Sequence, residues 1–288
     1  MKCEIIEIQN FNSGDSAGPT LVFDAGMGNW SLFFYPLVKE LVGLAKVCLI
    51  NRDGYQDRLP ARTEHDAVSV AKQIGELLMA EGIEGPYILV GHSLGGLHMR
   101  MFQTLFPGRV AGLVLLDAAH PFLFEKLPDL QERIKEQIKQ VSNLIILGKL
   151  GLLKFAKSKI PTFGLPPSLH EAYFKLTTGS SYYKTYKAEM DYLPKTLDQC
   201  KSLGSLNDLP LLVISSPYGL NAPLSKSQER DEFHNVQWFD LQKDLSKISS
   251  NAIFIKSKGD HFLHLTDTKN VGLAIKDFHQ RITYKKND

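Results

Sequence analysis

Ser93 lies in YILVGHSLGG, residues 87–96, between an apolar run and a helical pattern, and a serine so placed is a candidate nucleophile. Tyr87, Ile88, Leu89 and Val90 have the make-up of a buried strand. The glycines that follow permit a sharp turn that holds the serine in a strained backbone conformation and lifts its hydroxyl clear of the sheet. A side chain at Gly91 or Gly95 would crowd the neighbouring strand or helix. The amide of Leu94, near the helix N-terminus, can face a developing oxyanion. A glycine-flanked serine alone is a weak signal, because ordinary turns contain it. The strand before and the helix after make it specific.

A serine hydroxyl is a poor nucleophile at neutral pH. It needs a base within hydrogen-bond reach, and the base needs a carboxylate to fix its tautomer and stabilise its cation. Nine histidines compete for the first role. His92 is inside the turn and would point away from its neighbour Ser93; His98 and His279 fall on helices; His170 and His234 lie in insertion or connecting segments. His261 follows the last strand pattern, with His264 three residues on as its main rival. Asp117 closes the apolar strand Val110 to Leu116 and is one candidate carboxylate.

The elements that must position these groups repeat as strand, helix, strand. Strand patterns fall at Glu4 to Gln9, Thr20 to Phe23, Ala45 to Ile50, the run before Ser93, Val110 to Leu116, Leu209 to Ser215 and Asn251 to Ser257. Helical patterns cover Thr63 to Glu81, with His65 and Asp66 in the first turn, Leu94 to Phe106, and a closing stretch capped by Asp267 or Thr268. That rhythm predicts an α/β fold: a mostly parallel central sheet with helices on both faces. Catalytic groups in such a sheet belong at the C-terminal strand ends, where Ser93 and Asp117 fall. From Phe122 to Gly204 helical segments dominate, near Pro128 to Val141, Pro167 to Leu176 and Tyr182 to Cys200. The expected division is therefore a core of residues 1–121 and 205–288, interrupted by a helical insertion over 122–204.

The VGHSLGG turn, the upstream LVFDAGMGNW and the downstream GDHFLHLTD resemble the α/β-hydrolase fold family. The resemblance implies that residues 122–204 form a helical cap roofing the active site. It places the base at His261, and the second oxyanion donor at the amide of Met27, since Ala25 and Gly26 stand where relatives have a His-Gly pair. For the acid, the commonest family position follows the strand at Leu209 to Ser215, but no carboxylate occurs there before Glu229. Some relatives carry it one strand earlier, which selects Asp117, with Asp231 and Asp260 behind it. Asp260 stands where the family usually has glycine, and its expected influence on His261 is electrostatic only. The segment Asn51 to Tyr55 matches a family segment that is usually structural.

Composition excludes several classes. The 288 residues carry a formal net charge of +2 with the signs interspersed, and there is no basic stripe beyond Lys285 and Lys286, so no nucleic-acid partner is expected. Cys3, Cys48 and Cys200 lack ligand or framework spacing, which makes a reducing, cytoplasmic location the default. No stretch is apolar and long enough for stable membrane insertion. A monomer or small homo-oligomer is expected.

The expected activity is a serine hydrolase of carboxylesterase type, cleaving an ester or related acyl bond of a small, largely apolar molecule, with no metal or organic cofactor. Trp30, Phe33, Phe34 and His92 are the candidate pocket residues, a packed aromatic cluster being the plainer account of the first three. Leu144 to Phe155 would face an apolar cavity or the core. Lactonases, carbon-carbon bond hydrolases and perhydrolases of this fold remain open, as do a slowly acting ligand-binding receptor and a lipase using Leu144 to Phe155 as a lid. Aspartate-nucleophile dehalogenases and epoxide hydrolases are disfavoured by Ser93.

Overall fold

A computed structural model describes residues 1–6, 18–55, 64–218 and 228–284, without the side chains of 2–6 and 228–231. The sheet has seven strands: β1 (Lys2–Ile6), β2 (Thr20–Asp24), β3 (Val47–Asn51), β4 (Tyr87–His92), β5 (Val110–Leu116), β6 (Leu211–Ser215) and β7 (Ala252–Lys256). Their spatial order is β1-β3-β2-β4-β5-β6-β7. β1 pairs antiparallel with β3 at the edge, and the other six strands are parallel. The helices are α1 (Tyr35–Glu40), α2 (Ala67–Ala80), α3 (Leu94–Leu105), α4 (Leu123–Lys126), α5 (Pro128–Lys149), α6 (His170–Thr177), α7 (Ser180–Lys201), α8 (Gln228–Ser246), α9 (Leu263–Thr266) and α10 (Thr268–Tyr284).

Side chains alternate across a pleated strand, so each central strand feeds two cores. On one face Leu21, Phe23, Ile88, Val90, Val114 and Leu116 pack with α1 and α10 through Leu37, Ile275 and Phe278. On the other, Val22, Leu89, Leu113, Leu115 and Val213 pack with α2, α3, α7 and α8. Burial on both faces explains why these strands read as unbroken apolar runs.

Several expectations shift in detail. Asp66 is the cap of α2, its carboxylate accepting from the Ser69 amide at 3.2 Å, so the helix starts later than the sequence pattern implies. α5 runs to Lys149, eight residues past the expected end at Val141. α8 lies in a segment read as connecting chain. Residues 7–9 of the first strand pattern, residue 63 and the tail Lys285 and Lys286 lie outside the described residues, as do the side chains of Glu229 and Asp231. Cys200 is free and buried, but Cys48 is disulfide-bonded, which removes the cysteine-based reason for expecting a reducing compartment. No described helix is long and apolar enough to cross a membrane.

Candidate active site

Ser93 joins β4 to α3 with φ 50° and ψ −119°, a conformation that L-residues rarely adopt. Its surroundings enforce the bend. The Ser93 amide donates to the Leu116 carbonyl at 3.2 Å, and its carbonyl accepts from Ala119 at 2.9 Å. A Cβ at Gly95 would lie 2.3 Å from the Asp24 carbonyl oxygen, and one at Gly91 would lie 2.6 Å from the backbone of Gly95 and Gly96. Only glycine lets strand and helix approach this closely at both positions.

Three residues distant in sequence meet at the C-terminal edge of the sheet. His261, in the loop after β7, places Nε2 3.2 Å from Ser93 Oγ and Nδ1 2.7 Å from Asp117 Oδ2. Because the carboxylate can only accept, Nδ1 carries the proton and Nε2 is free to accept from the serine hydroxyl. Asp117 is fully buried at the end of β5 and His261 nearly so. The other carboxylate oxygen accepts from the Ser216 amide at 2.9 Å and from Ser215 Oγ at 3.4 Å. The end of β6, where an acid is commoner in the family, thus supplies donors to an acid coming from β5. Asp260 faces elsewhere: its carboxylate accepts from the Phe262 amide at 2.9 Å and Thr266 Oγ1 at 3.0 Å, tying down its own loop.

Two further imidazoles lie beneath His261. His92 Nε2 donates to the His261 carbonyl at 2.9 Å, and the His92 and His264 ring centroids are 4.3 Å apart. Burial, then the neighbouring His264 and His261, hold His92 well below the usual histidine range. Burial and His261 push His264 down to about 3. Both rings are therefore neutral near pH 7, so neither opposes a positive charge arising on His261. His264, completely buried, does not reach Ser93 by any described hydrogen bond.

A cavity of about 230 Å³ opens over Ser93 and His261. Met27, Leu94 and His92 line its base. Leu94 opens α3, so its amide has no carbonyl partner within its own helix. Leu123, Leu130, Ile134 and Leu193 supply apolar wall, and a Gln137–Tyr186 pair, with Gln137 Nε2 donating to the Tyr186 hydroxyl at 2.6 Å, supplies polar wall. Trp30, Phe33 and Phe34 are absent from this lining, which corrects the expectation for them. Trp30 stacks on Tyr173 with ring planes 1° apart, Phe33 packs edge-on to Tyr173, and Phe34 packs on Phe23 in the core on the other face of the sheet. Aromatic rings on a loop bury as much area against each other as against a ligand, and residue type alone does not separate the two.

Two contributors carried no sequence signal. Trp238 of α8 lines the cavity, its ring edge-on to His261 at 5.6 Å between centroids. Glu189 of α7, almost completely buried, accepts from the Gly28 amide at 2.8 Å, Arg52 Nε at 2.7 Å and the Tyr55 hydroxyl at 2.6 Å. Arg52 also donates to Asp24 and, at 2.7 Å each, to the carbonyls of Ala25 and Gly26. Burial opposes the Arg52 charge, but Asp24 and Glu189 outweigh it and raise its pKa. The Asp24 to Asn29 turn is thus held by Arg52, which follows β3, and by Glu189 of α7. No cluster of three His, Cys, Asp or Glu side chains among the described residues is placed to hold a metal ion.

A parallel sheet with a strained serine between β4 and α3 defines the class of protein, and comparison with known proteins agrees. A family model described as alpha/beta hydrolase fold matches residues 19–161, and the chain has that fold. The uncharacterized protein YqjL of Bacillus subtilis is 22% identical over 264 residues, covering 91% of this chain and 84% of that one. A 129-residue stretch is 26% identical to the probable transporter efuK of Hormonema carpetanum, covering 43% of this chain; this chain thus spans 18% of that protein's length. Among solved structures, a thermophilic esterase from Thermogutta terrifontis is similar with a TM-score of 0.65 at 16% identity, covering 98% of this chain and 93% of that one.

Proposed function

We propose that the protein is a serine hydrolase that cleaves a carboxylic ester or related acyl bond of a small, largely apolar molecule. The observation that carries this reading is the continuous hydrogen-bonded series from Asp117 through His261 to Ser93 Oγ, opening onto an apolar cavity. Ser93 Oγ attacks the substrate carbonyl carbon while His261 Nε2 takes the hydroxyl proton. Asp117 holds the productive tautomer and stabilises the imidazolium. The amides of Met27 and Leu94 bind the oxyanion of the tetrahedral intermediate. Collapse expels the alcohol, protonated by His261, and leaves an acyl-serine. Water, deprotonated by the same imidazole, then releases the acid.

In this reading residues 122–204 act as a cap. α5 and α7 supply Ile134, Gln137, Tyr186 and Leu193 to the cavity, and Glu189 fixes the loop that carries the Met27 donor. A cavity of about 230 Å³ falls below the ~300–1,000 Å³ typical of drug-sized ligands, which favours short acyl and alcohol groups. Ser93→Ala should lower turnover of p-nitrophenyl acetate by about 10⁴-fold or more while the protein stays folded. Unchanged turnover in that variant would sink the proposal.

A further inference from the structure

The far end of the insertion shows an apolar surface that the fold does not use. Along the last turns of α5, Val141 is buried, Leu144 and Ile145 are half-buried, and Gly148 packs against the backbone of Gly179 and Ser180. These positions, spaced three and four apart, form the inward stripe of an amphipathic helix. The opposite face of such a helix is ordinarily polar. Here it carries Ile146, 56% exposed, and then Leu150, 66% exposed. Gly151, at φ 72°, turns the chain into a 3₁₀ stretch over Leu152–Lys159. Leu153 there is buried, while Leu152 is 47% and Phe155 90% exposed. The expectation that Leu144 to Phe155 faces a cavity or the core is therefore corrected: most of its large side chains face outward.

Charge along this stretch of the chain has one sign. From Gln137 to His170 the chain holds five lysines and no aspartate, glutamate or arginine. Four of them, Lys149, Lys154, Lys157 and Lys159, are exposed and interleaved with the outward apolar residues. Ordinary exposed apolar residues are scattered singly, whereas a cluster ringed by lysines combines the two features that bind a negatively charged bilayer: rings and branched chains to enter the headgroup layer, and cations to meet the phosphates. The corner also adjoins the cavity. Phe163, 40% exposed, is a cavity-lining residue. It follows Lys159 by four residues, a span of at most about 14 Å.

We propose that the corner formed by the end of α5 and residues 152–159 docks on the surface of an anionic lipid bilayer, with Ile146, Leu150, Leu152 and Phe155 in the headgroup region and the four lysines against lipid phosphates. The docking is peripheral and does not depend on chemistry at Ser93. Its consequence for substrate choice rests on the hydrolase reading: the cavity is presented at the membrane surface, which favours amphiphilic esters leaving the lipid.

The test is co-sedimentation with vesicles of phosphatidylcholine alone and of phosphatidylcholine mixed equally with phosphatidylglycerol. The wild-type protein should pellet with the mixed vesicles, weakly or not at all with phosphatidylcholine, and less as salt rises. Ile146→Ser, Leu150→Ser and Phe155→Ser combined should abolish pelleting without changing the thermal midpoint, because all three side chains lie outside the core. Each of Lys149→Gln, Lys154→Gln, Lys157→Gln and Lys159→Gln should weaken it about fivefold, the equivalent of ~1 kcal/mol per charge. Ser93→Ala should pellet like the wild type, so loss of hydrolase chemistry and loss of docking give different results. A wild type that ignores the mixed vesicles, or a triple-serine variant that binds them equally well, overturns the proposal. So does a wild-type dimer that the same three substitutions dissociate, which would make the corner a contact between copies of this chain.

Discussion

Asp117→Asn is the substitution whose effect follows most directly from the geometry. Oδ1 of Asp117 accepts from the Ser216 amide at 2.9 Å and Oδ2 accepts from His261 Nδ1 at 2.7 Å. An asparagine of the same shape has one oxygen and one amide nitrogen to divide between these partners. A backbone N–H can only donate, so the oxygen turns to Ser216 and the NH₂ group to His261. That group cannot accept, so His261 shifts its proton to Nε2, the atom 3.2 Å from Ser93 Oγ, and loses the lone pair that would receive the serine proton. The expected loss in kcat is about 10⁴-fold, or ~5.5 kcal/mol of transition-state stabilisation. KM should change little, because Asp117 is buried behind His261 and does not line the cavity. Initial rates on p-nitrophenyl butyrate, with the thermal midpoint as a folding control, measure it. A folded Asp117→Asn enzyme retaining more than a tenth of wild-type kcat would refute the reasoning and require another carboxylate to orient His261.

Glu189→Ala leaves Arg52, the Gly28 amide and the Tyr55 hydroxyl facing a buried gap. It should cost ~3–5 kcal/mol in urea unfolding and lower kcat through a displaced Met27 loop, with Glu189→Gln recovering part of both. His264, held down to about 3, and His120, pushed down to about 4 mainly by burial, are both depressed below the ordinary value of 6.5. The unfolded chain therefore binds more protons below that value, so stability is fully present above pH 6.5 and is lost as pH falls towards 4. The slope should be about 1.4 kcal/mol per pH unit for each group, read as urea midpoints between pH 7.5 and pH 5. Ile134→Trp should fill the apolar wall of the cavity, cutting kcat/KM about tenfold or more for p-nitrophenyl hexanoate while leaving the acetate ester nearly untouched.

The parts of this molecule that sequence reveals are those encoded over short distances. β4, the Ser93 bend and α3 follow one another within twenty residues, and the glycines that permit the bend are themselves the signal. Val110–Leu116 and Leu211–Ser215 are legible because burial on both faces demands unbroken apolar runs. α8 escapes notice because apolar residues fall on both of its faces, Trp238, Leu241 and Leu245 being buried while Phe233 and Val236 are exposed, so no single stripe stands out and Trp238 is hidden with it. Glu189 is 137 positions from the Arg52 it pairs with, a separation at which no local pattern operates. The Trp30, Phe33 and Phe34 rings show the converse: their position near the Ser93 turn is legible, but whether an aromatic side chain faces a cavity or a neighbour is settled only by packing.

The central claim is that Ser93 is an activated nucleophile, and reaction with a fluorophosphonate probe tests it without any assumption about substrate. Peptide mass mapping of the treated protein should find one adduct, on the segment containing Ser93, formed far more slowly in His261→Ala. An untouched Ser93, or an adduct that forms at the same rate without His261, would contradict the account.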